Sequence, residues 1–194
     1  MSDYTSKLTA DGIISDIIDQ FEIYAEIEAV FPSSKQAVDF GNLITPVDSK
    51  EAPEVSVKFT KPVKDDVTYT LVVTDPDAPR RDNPTLGEVA HALFTDLNLD
   101  GSENSIGKWQ KIDFTKVTTI LSYIGPGPPK GTGLHRYTFI LYSSPKGIKV
   151  TGPSQENRRT WGSGIPGFGV RDWYKKEKIE MTVLGANFFN SKND

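Results

Sequence analysis

The sequence has 194 residues, 37% hydrophobic and 25% charged, the composition of one globular domain with a buried core and not of a disordered chain. A net charge of −4 with scattered basic residues speaks against a nucleic-acid partner, which calls for a basic surplus. With no cysteine, disulfides, thiolate nucleophiles and thiolate zinc sites are excluded, and a reducing compartment fits.

Met1 to Tyr4 carry neither a basic leader nor an apolar run, and no stretch reaches the roughly 20 apolar residues of a bilayer span. A soluble, cytoplasmic protein is expected, with residues 1–12 as a flexible N-terminal segment. After Thr9-Ala10-Asp11, Ile13, Ile14, Ile17, Ile18 and Phe21 recur at helical spacing and predict an amphipathic helix of about three turns. Ile23, Ala25, Ile27 and Ala29 then alternate with Glu22, Tyr24, Glu26 and Glu28, the pattern of a half-buried strand. Val55, Val57 and Phe59 alternate in the same way. Further strands are expected at Tyr69–Val73, Val89–Leu97, Val117–Ile124 and Leu134–Tyr142, separated by turns rich in Gly, Pro, Asn and Asp. Val170–Lys178 reads as a short helix and Ile179–Phe189 as a return to strand. No repeat, low-complexity stretch or linker divides the chain. It reads as a mainly β single domain over 1–194, a sandwich or small barrel, and as a monomer.

Two segments combine polar groups with stiff loops. In Asp75-Pro76-Asp77-Ala78-Pro79 the prolines hold Asp75 and Ala78 extended, so Asp75 and Asp77 can point to one side at the mouth of a strand. The same residues also suit a solvated turn. In Gly125-Pro126-Gly127-Pro128-Pro129-Lys130-Gly131-Thr132-Gly133 the glycines let backbone N–H groups approach a ligand. His135 and Tyr137 follow on one strand face, which Phe139 and Leu141 continue inward. An imidazole and a phenol beside such a loop suit an anion, while a core face with two hydrogen-bonded polar residues is the plainer alternative. His91 shares its strand face with Leu93 and is read as inward-looking. Arg80-Arg81 and Arg158-Arg159 read as pairs on solvated loops. Gly162-Ser163-Gly164-Ile165-Pro166-Gly167 spells a dinucleotide fingerprint, but no strand–helix unit surrounds it. Asp75, Asp77, His91 and His135 lack the short-range spacing of metal ligands, and no metal or cofactor is expected.

Together, Asp75-Pro76-Asp77-Ala78-Pro79, Glu88 with His91, and Tyr123 to Phe139 with its Gly-Pro-Gly-Pro-Pro and His135-Arg136-Tyr137 resemble the signature segments of the phosphatidylethanolamine-binding protein family. The resemblance runs from Phe21 to Asn187-Phe188-Phe189. It implies two antiparallel sheets with a few short flanking helices around a small cavity for phosphate-like anions or a phospholipid headgroup. By matching position the cavity residues are Asp75, Asp77, His91, Gly125, Gly127, Pro128, His135 and Tyr137. The ending, with Trp161-Gly162 and Asn187-Phe188-Phe189, is most similar to the fungal branch. Some members of that branch inhibit a vacuolar serine carboxypeptidase of the carboxypeptidase Y type, so such a protease is the expected partner and the vacuole a second compartment. Animal members carry tryptophan where this chain has Val89, so an aromatic wall is lost. The expected mechanism has one Asp orienting a histidine, while the other ring N–H, the Tyr137 hydroxyl and loop N–H groups face the anion. An inhibitor is the leading reading, a phosphate-ligand or headgroup binder the second, and an Asp/His hydrolase the third. No inhibitory residue is identified beyond the N-terminal segment as a candidate contact.

Overall fold

Alternation in the early strands and mostly apolar runs in the later ones divide the chain between two sheets. The structure, a computed structural model, describes residues 2–194. In chain order the helices are α1 (Ser2–Ala10), α2 (Ile13–Asp16) and α3 (Val170–Lys176). The strands are β1 (Ala25–Val30), β2 (Asn42–Leu43), β3 (Glu54–Phe59), β4 (Val67–Asp75), β5 (Val89–Thr95), β6 (Trp109–Lys111), β7 (Thr118–Leu121), β8 (His135–Pro145) and β9 (Thr182–Ser191). A three-stranded sheet runs β1-β3-β6 and a six-stranded sheet β2-β9-β8-β4-β5-β7. All pairings are antiparallel except β2 with β9, which is parallel and departs from the expected all-antiparallel pattern.

The small sheet buries one face. Ala25, Ile27, Ala29, Val55, Val57 and Phe59 turn inward and Glu28 stays in solvent, so the period of two is visible in the sequence. β4 from Tyr69 onward and nearly all of β8 are buried on both faces. Leu71, Val73, Tyr137, Phe139 and Leu141 pack toward the small sheet. Val72, Ile140 and Tyr142 pack on a second layer with Ile13, Ile17, Trp161, Val170 and Trp173. Covering on both faces is why these strands read as runs.

The N-terminal segment is built differently from its sequence pattern. Residues 2–10 of the segment expected to be flexible form α1, and Met1 lies outside the described residues. Leu8 of α1 is fully buried, and the Tyr4 hydroxyl both donates to Ala186 O and accepts from Ala186 N–H. The helix expected over 13–21 shrinks to the single turn α2, in which Ser15 lies at φ 108. Its isoleucines are buried all the same, as an irregular segment. Four β-branched residues are weak helix formers, and tertiary bonds decide the outcome. Arg136 donates to Asp11 O at 2.7 Å and to the Asp16 carboxylate at 2.8 Å, clamping both sides of Gly12, itself at φ 71. Among the described residues no helix is long and apolar enough to cross a membrane.

Candidate functional site

The ends of β4 and β5 and the start of β8 meet at one end of the six-stranded sheet. β4 delivers Asp75 on the face of Leu71 and Val73, and β8 delivers His135 and Tyr137 on the face of Phe139. β5 needs a bulge to join them. Val73 pairs with Ala92 and Thr74 with Ala90, which leaves His91 as the extra residue. Ala90 and Leu93 therefore both face the outer layer, while Ala92 faces the small sheet. His91 does not share the face of Leu93 as expected: its ring stands edge-on to Tyr137, with centroids 5.0 Å apart.

Carbonyls at and beside the bulge are met by Arg158, whose Nη1 reaches Ala90 O at 3.3 Å, His91 O at 3.2 Å and Ser122 O at 2.9 Å. Arg158 is 8% exposed and none of its bonds goes to a carboxylate. The expectation of a solvated Arg158-Arg159 pair holds for Arg159 alone. Burial lowers the Arg158 pKa, yet a guanidinium stays charged. No local pattern in Asn157-Arg158-Arg159 signals this role, because the acceptors of its Nη1 lie on β5 and beside β7.

These residues enclose a cavity of about 680 Å³ lined by Asp75, Val89, His91, Gly127, His135 and Tyr137, with Arg158 on its loop wall. Gly125 also lines it, but a Cβ there would lie 2.9 Å from the Lys50 backbone, so this glycine serves the packing of the loop on residues 49–50. Pro128 is buried and does not line the cavity; Pro129 does. Val89 stands in the wall at the position of the missing tryptophan.

The two histidines are differently wired. His135 Nδ1 donates to Asp75 Oδ2 at 3.0 Å, and Nε2 lies 3.1 Å from Thr132 Oγ1. Thr132 gives its own hydroxyl hydrogen to Pro129 O at 2.7 Å, so it can only accept from the ring. Both nitrogens of His135 thus face acceptors, the wiring of an imidazolium. Burial opposes the charge, but the bond to Asp75 and the Asp75 and Asp77 charges outweigh it and raise the pKa. The N–H expected to face an anion is therefore spent on Thr132. Asp75, His135 and Thr132 lie in a line like that of a hydrolytic triad with the proton roles reversed: the hydroxyl hydrogen points away from the histidine. In His91, Nδ1 donates to Ile124 O at 2.8 Å, and Ile124 N–H donates back to His91 O at 3.0 Å. Burial holds this imidazole below its ordinary pKa, against the Asp75 charge. Burial first, then Asp75, pushes the Tyr137 phenol well above its usual range, so it stays protonated.

Asp77 does not join them. Asp75 Oδ1 accepts the Asp77 N–H at 2.7 Å in an Asx turn that reverses the chain. The Asp77 carboxylate faces the other side of the sheet, where it accepts from Arg136 N, Nε and Nη2 at 2.9, 2.9 and 2.7 Å. On that side Glu88, also buried, accepts from Thr74 Oγ1 at 2.8 Å and Val170 N at 3.3 Å, and burial lifts its pKa to about 7. Alternation along His135-Arg136-Tyr137 was the signal for Arg136, since it must face away from its neighbours.

Residues 33–189 match the family described as phosphatidylethanolamine-binding protein. The chain belongs to this family. Within it, the chain is 32% identical to the Carboxypeptidase Y inhibitor of Saccharomyces cerevisiae over 92% of this chain and 90% of that one. It is 33% identical to the Uncharacterized protein YLR179C of the same yeast, over 97% and 92%. Its backbone is similar to the crystal structure of carboxypeptidase Y inhibitor complexed with the cognate proteinase, with a TM-score of 0.84, 28% identity and coverage of 100% and 96%. The phosphatidylethanolamine-binding protein fold expected from the signature segments is thus the fold observed.

Proposed function

We propose that this protein inhibits a serine carboxypeptidase of the carboxypeptidase Y type, is not itself a catalyst, and holds a phosphate-like anion in its cavity. The observation that carries the inhibitor reading is likeness to a carboxypeptidase Y inhibitor along nearly the whole chain, in sequence over 92% and in backbone at a TM-score of 0.84. The wiring of the cavity supports a non-catalytic role. A triad needs a neutral histidine that takes the hydrogen of its nucleophile, whereas Thr132 donates to Pro129 O and His135 is held toward its charged form. In this reading the N-terminal segment, none of whose described residues lines the cavity, makes the protease contact, and the working compartment is the cytoplasm together with the vacuole. The anion reading rests on Arg158, a buried cation on the cavity wall that bonds to no carboxylate among the described residues.

Titration of a carboxypeptidase Y-type enzyme with this protein, followed by peptide hydrolysis, tests the inhibitor reading. Stoichiometric loss of hydrolysis is expected. Undiminished hydrolysis at micromolar protein overturns inhibition and leaves the anion site standing as the second reading. Peptidase or phosphatase turnover that disappears in His135→Ala overturns the non-catalytic role.

A further inference from the structure

We infer that the cavity selects an oxyanion that brings its own hydrogen, hydrogen phosphate over sulfate, because His91 presents a hydrogen-bond acceptor to it. The inference rests on the anion reading above and names the ligand class of that site.

A backbone carbonyl only accepts, so the 2.8 Å bond to Ile124 O places the ring hydrogen of His91 on Nδ1. Nε2 then carries a lone pair. Among the described residues it has no protein partner, and His91 lines the cavity. The ring cannot turn over to offer an N–H without giving up the Ile124 bond, and that residue grips His91 twice. The groups around the ring act in both directions. Asp75 on β4 favours a second proton; His135 on β8 and Arg158 on the loop oppose it, as burial does. Tyr137 on β8 is uncharged, and Glu156 and Arg159 complete the loop side of the lining with opposite charges. The neutral ring is the outcome, as the lowered pKa also indicates.

A ligand in this cavity meets the Arg158 guanidinium, the His135 ring held toward its charged form by Asp75, the Tyr137 hydroxyl and one bare acceptor. Hydrogen phosphate and sulfate separate these requirements. At about pH 8 both are tetrahedral dianions of similar size, and they differ by a single O–H. Phosphate can donate that hydrogen to Nε2. Sulfate sets a lone pair against a lone pair, or binds only after the ring takes up a proton from solvent. A phosphomonoester has its second pKa near ~6, so it carries the needed hydrogen only in mildly acid solution.

Calorimetric titration of the full chain with inorganic phosphate and with sodium sulfate tests this, at about pH 8 and about pH 5.5. At the higher pH, phosphate is expected to bind at least about tenfold more tightly than sulfate. At the lower pH the gap closes, and sulfate binding takes up close to one proton, read from buffers of different ionisation heat. In the phosphomonoester arm, methyl phosphate, which has no donor besides the phosphate O–H, follows sulfate at the higher pH and phosphate at the lower. His91→Gln can turn its amide N–H to the cavity and loses the preference for phosphate. Equal affinities for phosphate and sulfate at the higher pH in the wild-type protein overturn the inference while leaving the anion site intact. Binding of neither ion at either pH overturns the anion reading itself.

Discussion

Replacing Asp77 with asparagine separates the two sides of the sheet. Asp77 and Arg136 are 1% and 3% exposed, and three of the Arg136 donors end on this carboxylate. Asparagine keeps the shape but loses the charge and turns an amide NH2 toward a guanidinium. Removing one partner of a buried pair costs about 3–5 kcal/mol. Asp16 still meets Nη1 at 2.8 Å, and although it is half-exposed it places the expected loss near the low end, at about 3 kcal/mol. At ~2–4 °C per kcal/mol for a domain of this size, thermal unfolding should begin some ~6–12 °C lower. Asp77 does not line the cavity and reaches it only through its charge on His135, so phosphate affinity measured well below the transition, in mildly acid solution where His135 keeps its proton, should stay within about twofold. Urea denaturation and phosphate calorimetry on the same preparation read both quantities. A stable Asp77→Asn protein that has lost phosphate binding would refute the placement of Asp77 on the far side. So would a stability loss below about 1 kcal/mol, which would mean that the Arg136 charge is compensated elsewhere.

Asp75→Ala frees His135 and removes the acceptor that sustains its charge; anion binding should vanish while carboxypeptidase inhibition stays within a few-fold, and joint loss would mean that the cavity is part of the inhibitory surface. Glu88 has a folded pKa of about 7 against an ordinary 4.5, so between those values the folded state binds more protons than the unfolded one and stability falls as pH rises. Glu88→Gln removes that slope: relative to the wild type it should gain on the order of 3 kcal/mol between about pH 4.5 and pH 7, at ~1.4 kcal/mol per pH unit, and a pH-independent difference would contradict the assignment. Tyr4→Phe takes the partner from both backbone groups of Ala186, with an expected cost of about 1–3 kcal/mol. Amide exchange in α1 should then quicken while β8 stays protected; unchanged exchange in α1 would show that Leu8 and the Tyr4 ring hold the helix alone.

The strands and half of the site were legible because their information is local. A period of two announces β1 and β3, mostly apolar runs announce β4 and β8, and alternation along β8 is enough to put His135 and Tyr137 on one face with Arg136 opposite. The glycine- and proline-rich loop is recognisable from composition and order. Other features depend on partners far along the chain. The same isoleucine spacing that suits a helix over 13–21 suits an irregular segment once Arg136 grips Asp11 and Asp16, more than a hundred residues away. Asp77 reads as a twin of Asp75 until the Asx turn and Arg136 draw it to the other face. The bulge that swings His91 toward Tyr137 exists only in the pairing of β5 with β4, and the buried Arg158 bonds to the Ala90 and His91 carbonyls at that bulge. Periodicity and turn chemistry are properties of neighbouring residues, so the sequence alone determines which segments become strands and which face each presents. Side-chain direction beyond the strand ends, the protonation of each histidine and the burial of a lone guanidinium are set by contacts across the fold, so only the tertiary structure decides them.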